Sequence, residues 1–162
     1  MTFREIEFGS DDFRKECDLR NEVLRVPIGL CLCDEDLDQE KQQFHFGLFD
    51  ECGDVLACVI AAPRSSTEAQ VRQMAVHPGH QGKGFGRMIL HCAEAHLARQ
   101  GFDRVFMHAR MTAVGFYEKL GYVTTGNEFT EVGIPHLRMW KRLSILSSRS
   151  SPDSARHRKA RR

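Results

Sequence analysis

A chain of 162 residues, 41% hydrophobic and 28% charged, has the make-up of one globular domain with a sizeable core. No apolar run approaches the ~20 residues that span a bilayer, and Met1 to Glu5 hold no signal-peptide block, so a cytoplasmic protein without a membrane partner is expected. The net charge of +1 divides unevenly: residues 144–162 hold six Lys/Arg and one acid, whereas residues 1–143 hold 17 Lys/Arg and 21 Asp/Glu. A mildly acidic domain therefore precedes a basic tail.

Residues 3–8 alternate apolar and polar, which predicts a half-buried strand. Ser10-Asp11-Asp12 can cap a helix over 11–25, where Phe13, Cys17, Leu19 and Leu24 recur at roughly helical spacing. Pro27 and Gly29 break it, and a short second helix or a loop is expected through Cys33. Residues 34–40 form an acidic run that reads as a solvated loop. Phe44–Asp50 and Val55–Pro63, joined through Cys52-Gly53-Asp54, predict a hairpin, and Val71–Val76 a fourth strand.

Next comes His77-Pro78-Gly79-His80, a turn, and then Gln81-Gly82-Lys83-Gly84-Phe85-Gly86-Arg87. From Gly84 a helix is expected as far as Gly101, since Phe85, Ile89, Cys92 and Leu97 share one face. A glycine-rich turn opening a helix puts unpaired N–H groups and the positive dipole end at one point, which suits a phosphate or pyrophosphate. Lys83 and Arg87 add charge there. The spacing fits neither a P-loop, which lacks its first glycine here, nor a dinucleotide fingerprint, whose last small residue is replaced by Arg87.

Arg104–Ala109 predicts a fifth strand. A short helix capped by Thr112 and ended by Gly121 should carry Val114, Phe116, Tyr117 and Leu120. Gly121–Thr125 reads as a strand, 126–133 as a polar loop, and Pro135–Leu143 as the last strand. From Ser144 the composition is that of a disordered tail. Hairpins early and helical crossovers late imply an α/β fold with a mixed sheet and helices on its faces. The six cysteines are irregularly spaced and are expected to be reduced, and His77 and His80 lack further ligands for a metal, so no metal site is expected.

Gln81, Gly84 and Gly86 meet the pattern [Gln/Arg]-x-x-Gly-x-[Gly/Ala], which resembles the acyl-CoA pyrophosphate loop of the GNAT superfamily of N-acetyltransferases. Arg72-Gln73-Met74-Ala75-Val76-His77-Pro78 resembles the strand leading into that loop, and Ala113 to Tyr122 resembles the superfamily's Ala-x-x-x-Tyr-x-x-x-Gly-[Phe/Tyr] segment. Gly133-Ile134-Pro135-His136-Leu137-Arg138-Met139 resembles the ending of an ElaA-like branch, as, loosely, do Arg20, Arg25, Asp36 and Asp38. The resemblance covers about residues 3–142 and implies a mostly antiparallel sheet with a splayed pair of central strands and helices on both faces.

It also implies acetyl-CoA as co-substrate and an amine as acceptor. Met74, Ala75 and Val76 would bind the pantetheine arm, with the Val76 N–H polarising the thioester carbonyl. Gln81, Gly82, Lys83, Gly84, Phe85, Gly86 and Arg87 would hold the pyrophosphate. Where the superfamily often has Asn, seven residues before the tyrosine, this chain has Arg110, which could reach a cofactor phosphate instead. Tyr117 is the expected general acid for the departing thiolate. For the base, His108, His136 and Glu131 are candidates, each with a purely structural alternative. The amine is expected to enter between residues 34–40, whose carboxylates would steer a cation, and the loop before the last strand. Two other readings stay open: a non-catalytic CoA-binding module, and weak nucleic-acid binding through the tail, which has no aromatic residues for stacking. A homodimer also stays open.

Overall fold

The computed structural model describes residues 1–144, so the basic tail expected from Ser144 lies, beyond that residue, outside the described residues. Among them no helix is long and apolar enough to cross a membrane. Seven strands form one sheet in the order β1-β2-β3-β4-β5-β7-β6. They are β1 (Thr2–Glu5), β2 (Phe44–Phe49), β3 (Val55–Pro63), β4 (Glu68–Val76), β5 (Arg104–Arg110), β6 (Val123–Glu131) and β7 (Ile134–Arg142). Every neighbouring pair is antiparallel except β4 and β5. The fold is the mixed α/β arrangement with a splayed central pair that the resemblance implies.

The helices are α1 (Asp11–Leu24), α2 (Phe85–Arg99) and α3 (Val114–Lys119). Ser10 caps α1 as expected, its Oγ accepting from the Phe13 N–H at 3.2 Å. α1 covers one face of the sheet, where Leu19 packs with Phe49, Val55, Cys58 and Ala75. α2 covers the other face and buries Ile89, Leu90, Ala93 and Leu97 against Phe46, Val59, Val105 and Met139.

Under α1 lies a buried polar group that its helical spacing does not reveal. Arg20, fully buried, makes two hydrogen bonds to Glu40, at 2.8 and 2.7 Å. His45 Nδ1 lies 2.9 Å from the buried Glu16 carboxylate, and its Nε2 lies 2.9 Å from the Glu40 backbone oxygen. A carbonyl and a carboxylate both accept, so both ring nitrogens donate and His45 is an imidazolium. Two cations and two carboxylates thus balance inside the protein, as buried charge requires.

Four expectations need correction. Thr112 does not cap the short helix; a 3-10 turn over Met111–Ala113 leads into α3 with no side-chain cap. Residues 126–131 belong to β6 rather than to a loop. β6 is an exposed edge strand, so it lacks the alternating apolar pattern that would have marked it. Cys31 and Cys33 are not reduced; a turn brings their Cα atoms within 5.2 Å and they form a disulfide. The acidic run is only partly solvated, for Glu40 is buried against Arg20 and Glu35 pairs with Arg25 at 2.6 Å.

Candidate active site

β4 and β5 pair only at Glu68↔Arg104, Ala69↔Val105 and Gln70↔Phe106, after which they part. Past that point β4 has a bulge, where its register with β3 shifts and Gln73 takes φ 56°. A non-glycine residue at positive φ needs support. Here Gln73 Oε1 accepts from Arg25 at 3.1 Å, and Arg25 is itself held by Glu35. The hydrogen bond from Arg25 in turn keeps the Glu35 carboxyl below its ordinary pKa.

The His77 N–H donates to Leu56 of β3 at 2.8 Å. Strand alternation then turns the Val76 and Met74 N–H groups the other way, into the opening beside β5. The Val76 carbonyl accepts from the Gln81 side chain at 3.2 Å. Ala75 does not face the opening: it pairs with Cys58 of β3 and its side chain is buried under α1. Of the three consecutive β4 residues expected to meet the pantetheine, Ala75 is thus turned to β3, and Met74 and Val76 flank it.

The opening runs toward the N-terminus of α2. Gly82 and Gly84 have φ of 76° and 83°, a conformation that glycine adopts without strain. Gly84 is the N-cap and provides no side chain, so no cap bonds the N–H groups of Phe85, Gly86 and Arg87. The backbone thus offers a set of donors at the positive end of a 15-residue helix. Lys83 and Arg87 are exposed beside it, and Arg87 and Lys119 line an adjoining hollow of about 220 Å³. A Cβ at Gly86 would meet Phe116 and Val76 at ordinary contact distance, 3.5 Å each, so Gly86 lies directly against both. These donors suit a pyrophosphate.

Tyr117, like Met74, Val76 and Phe85, packs against the core on the α2 side of the sheet, its ring 5.1 Å from Phe116 and 5.8 Å from Tyr122. Burial pushes its phenol up to about 12, against the opposing charge of Arg110.

On the far wall, the three candidate bases converge. His108 Nδ1 lies 3.1 Å from Glu131, and Glu131 lies 3.8 Å from His136 Nε2. His136 Nδ1 is 2.7 Å from the Ile134 carbonyl, so Nδ1 carries the proton and Nε2 faces the carboxylate. Phe129 stacks on His136 at 5.8 Å and meets His108 edge-on at 5.0 Å. The hairpin that aims them turns through Val132 and Gly133, both at positive φ, with Glu131 paired to Ile134. The predicted loop is therefore a two-residue turn. The residues that sequence reasoning passed over are Arg72, on β4 abreast of His108, and the Arg25–Gln73 tie. A lone arginine on a strand gives no periodic signal, and the tie joins residues 48 apart.

Against known proteins, a family model described as an acetyltransferase (GNAT) domain matches residues 32–143. An uncharacterized N-acetyltransferase of Bacillus subtilis (strain 168), YitI, is 31% identical over 133 residues, 78% of this chain and 89% of that protein. An aminoglycoside 6'-N-acetyltransferase, crystallised with coenzyme A, has a similar fold, with a TM-score of 0.72 at 15% identity over 90% of this chain and 98% of that one. Escherichia coli ElaA gives a TM-score of 0.73 at 15% identity over 87% of this chain and 99% of its own. The two folds are about equally near, so the ElaA-like branch is not singled out.

Proposed function

The chain belongs to the GNAT acetyltransferase family, and from that premise we propose that it moves an acetyl group from acetyl-CoA to a primary amine by direct attack in a ternary complex. Bound acetyl-CoA would supply an activated acyl group as a thioester. The observation that carries this reading is the pairing of two sets of backbone donors, those of Met74 and Val76 beside the splay and those of the uncapped start of α2.

Each step then falls to a named group. The amides of Phe85, Gly86 and Arg87, with Lys83, would hold the pyrophosphate. The Val76 N–H would polarise the carbonyl, a contribution of a few kcal/mol when the donor is pre-aimed. Arg110 would stand near a cofactor phosphate or the phenol. A free alkylamine has pKa ~10 and arrives mostly protonated, so a proton must leave before it attacks. Glu131, held between His108 and His136, is the acceptor for that proton, directly or through water. As the carbon–nitrogen bond forms and the carbon–sulfur bond breaks, Tyr117 donates its proton to the sulfur.

The test is a pair of measurements. Acetyl-CoA should raise the melting temperature, since a ligand that binds only the native state stabilises it. Thiol should be released when a panel of amines is added. Gly84→Val places a β-branched residue at φ 83° and should lose the thermal shift. Undiminished acetyl-CoA binding by a folded Gly84→Val protein would discard the cradle.

A further inference from the structure

The acceptor cleft is not electrically what the acidic run suggested. Of the carboxylates at 34–40, Glu35 and Glu40 are each engaged by an arginine. What faces the splay from β4 is a cation. Arg72 is half-buried and pairs with Ile60 on β3, two residues beyond Gln70. Because Gln70 pairs with Phe106 in parallel register, Arg72 comes level with His108 across the opening and on the same face of the sheet.

Among the described residues its one side-chain hydrogen bond runs from Nη1 to Gln43 Oε1, at 3.3 Å. Among the described residues no carboxylate forms an ion pair with it. Burial disfavours its charge, with Arg64 and Arg20 adding repulsion and Glu40 and Glu131 opposing them. Glu40 is already taken by Arg20, so its help is largely neutralised. The neighbouring cation on the other wall, Arg138, is placed differently: it lies over Phe106 at 4.2 Å and 3.9 Å from Glu68. A half-buried guanidinium with one neutral hydrogen-bond partner keeps nitrogens free to bind an anion. Facing it across the cleft stands the Glu131 carboxylate with its two histidines.

From this arrangement we propose that the acceptor is a small zwitterion, an amine with a carboxylate close by in the manner of an α-amino acid, and that Arg72 binds its carboxylate while Glu131 receives its amine. The inference rests on the acetyltransferase reading and names the class of substrate for that same cleft. A guanidinium suits this role because its planar fork matches a carboxylate. A polyamine, the acceptor that an acidic cleft would favour, would instead meet repulsion from Arg72.

The experiment compares matched acceptors: an amino acid, its α-amide, and the amine left on removing the carboxylate. Each is assayed by thiol release with wild type, Arg72→Gln and Arg72→Lys, and melting curves with acetyl-CoA confirm that each variant is folded and loaded. Wild type should prefer the amino acid. Arg72→Gln should lower kcat/KM for the amino acid by ~10- to 100-fold, the usual scale for losing a hydrogen bond to a charged group. The other two acceptors should change little, and Arg72→Lys should keep part of the preference. If wild type uses the three acceptors alike, or if Arg72→Gln depresses all three equally, Arg72 does not read the acceptor and the inference falls while the acetyltransferase reading stands. If no amine of any kind releases thiol although acetyl-CoA still binds, the underlying reading falls and this inference with it.

Discussion

Tyr117 lies beside Phe116 and Tyr122, and burial raises the pKa of its phenol to about 12. A thiol has pKa ~8.5, so at neutral pH this group keeps its proton until a thiolate appears beside it. Tyr117→Phe should leave the acetyl-CoA melting shift unchanged and lower kcat by ~10²-fold, which steady-state thiol release measures. A variant turning over at the wild-type rate would assign the proton to water. Glu131→Gln probes the opposite end of the same transfer and should lower kcat without changing cofactor binding, because the amide cannot take the amine's proton.

Between α1 and β2 the folded state depends on the four charges of Arg20, Glu40, Glu16 and His45. Burial works against the His45 cation, but the hydrogen bond to Glu16 and the two carboxylates outweigh it and raise its pKa. A raised value in the folded state means stability that is whole below the ordinary histidine value of ~6.5 and is lost as pH climbs through the folded value. The melting temperature should therefore fall as pH rises above ~6.5, and His45→Gln should be less stable at low pH and lack that slope. A wild-type melting curve indifferent to pH over this range would mean that His45 carries no charge. This quartet also marks the limit of what the chain discloses as text. The strands β2, β3 and β5, the helix α2 and the glycine loop were legible because apolar period, turn residues and caps are local signals. Arg20 and Glu40 lie 20 residues apart, and a charged pair inside a helix face reads as solvated surface until its partner is known. β6 was half missed because an exposed edge strand buries nothing that could impose a period on it. In the candidate site, Tyr117 and the loop were legible as motifs and Glu131 by its place before Gly133-Ile134-Pro135, whereas Arg72 and Gln73 matter only through the register that sets them opposite His108 or beside Arg25.

At the scale of the whole molecule, the last inward anchor among the described residues is Leu143, which is buried and whose N–H donates to the Asp103 carbonyl at 2.8 Å. A chain ending at Ser144 should keep the melting temperature and the acetyl-CoA shift of the full protein. A large loss of either would place the domain boundary further on. The three-pair junction between β4 and β5 has a consequence for how such a protein can change over generations. The two walls of the cleft belong to separate hydrogen-bonded ladders: Arg72 to that of β3 and β4, and His108, Glu131 and His136 to that of β5, β6 and β7. A substitution that alters what one wall recognises leaves the backbone bonds of the other untouched. Preference for the acceptor's anion and handling of its proton are thus inherited as separable traits, and the first can drift or be redesigned while the second is retained.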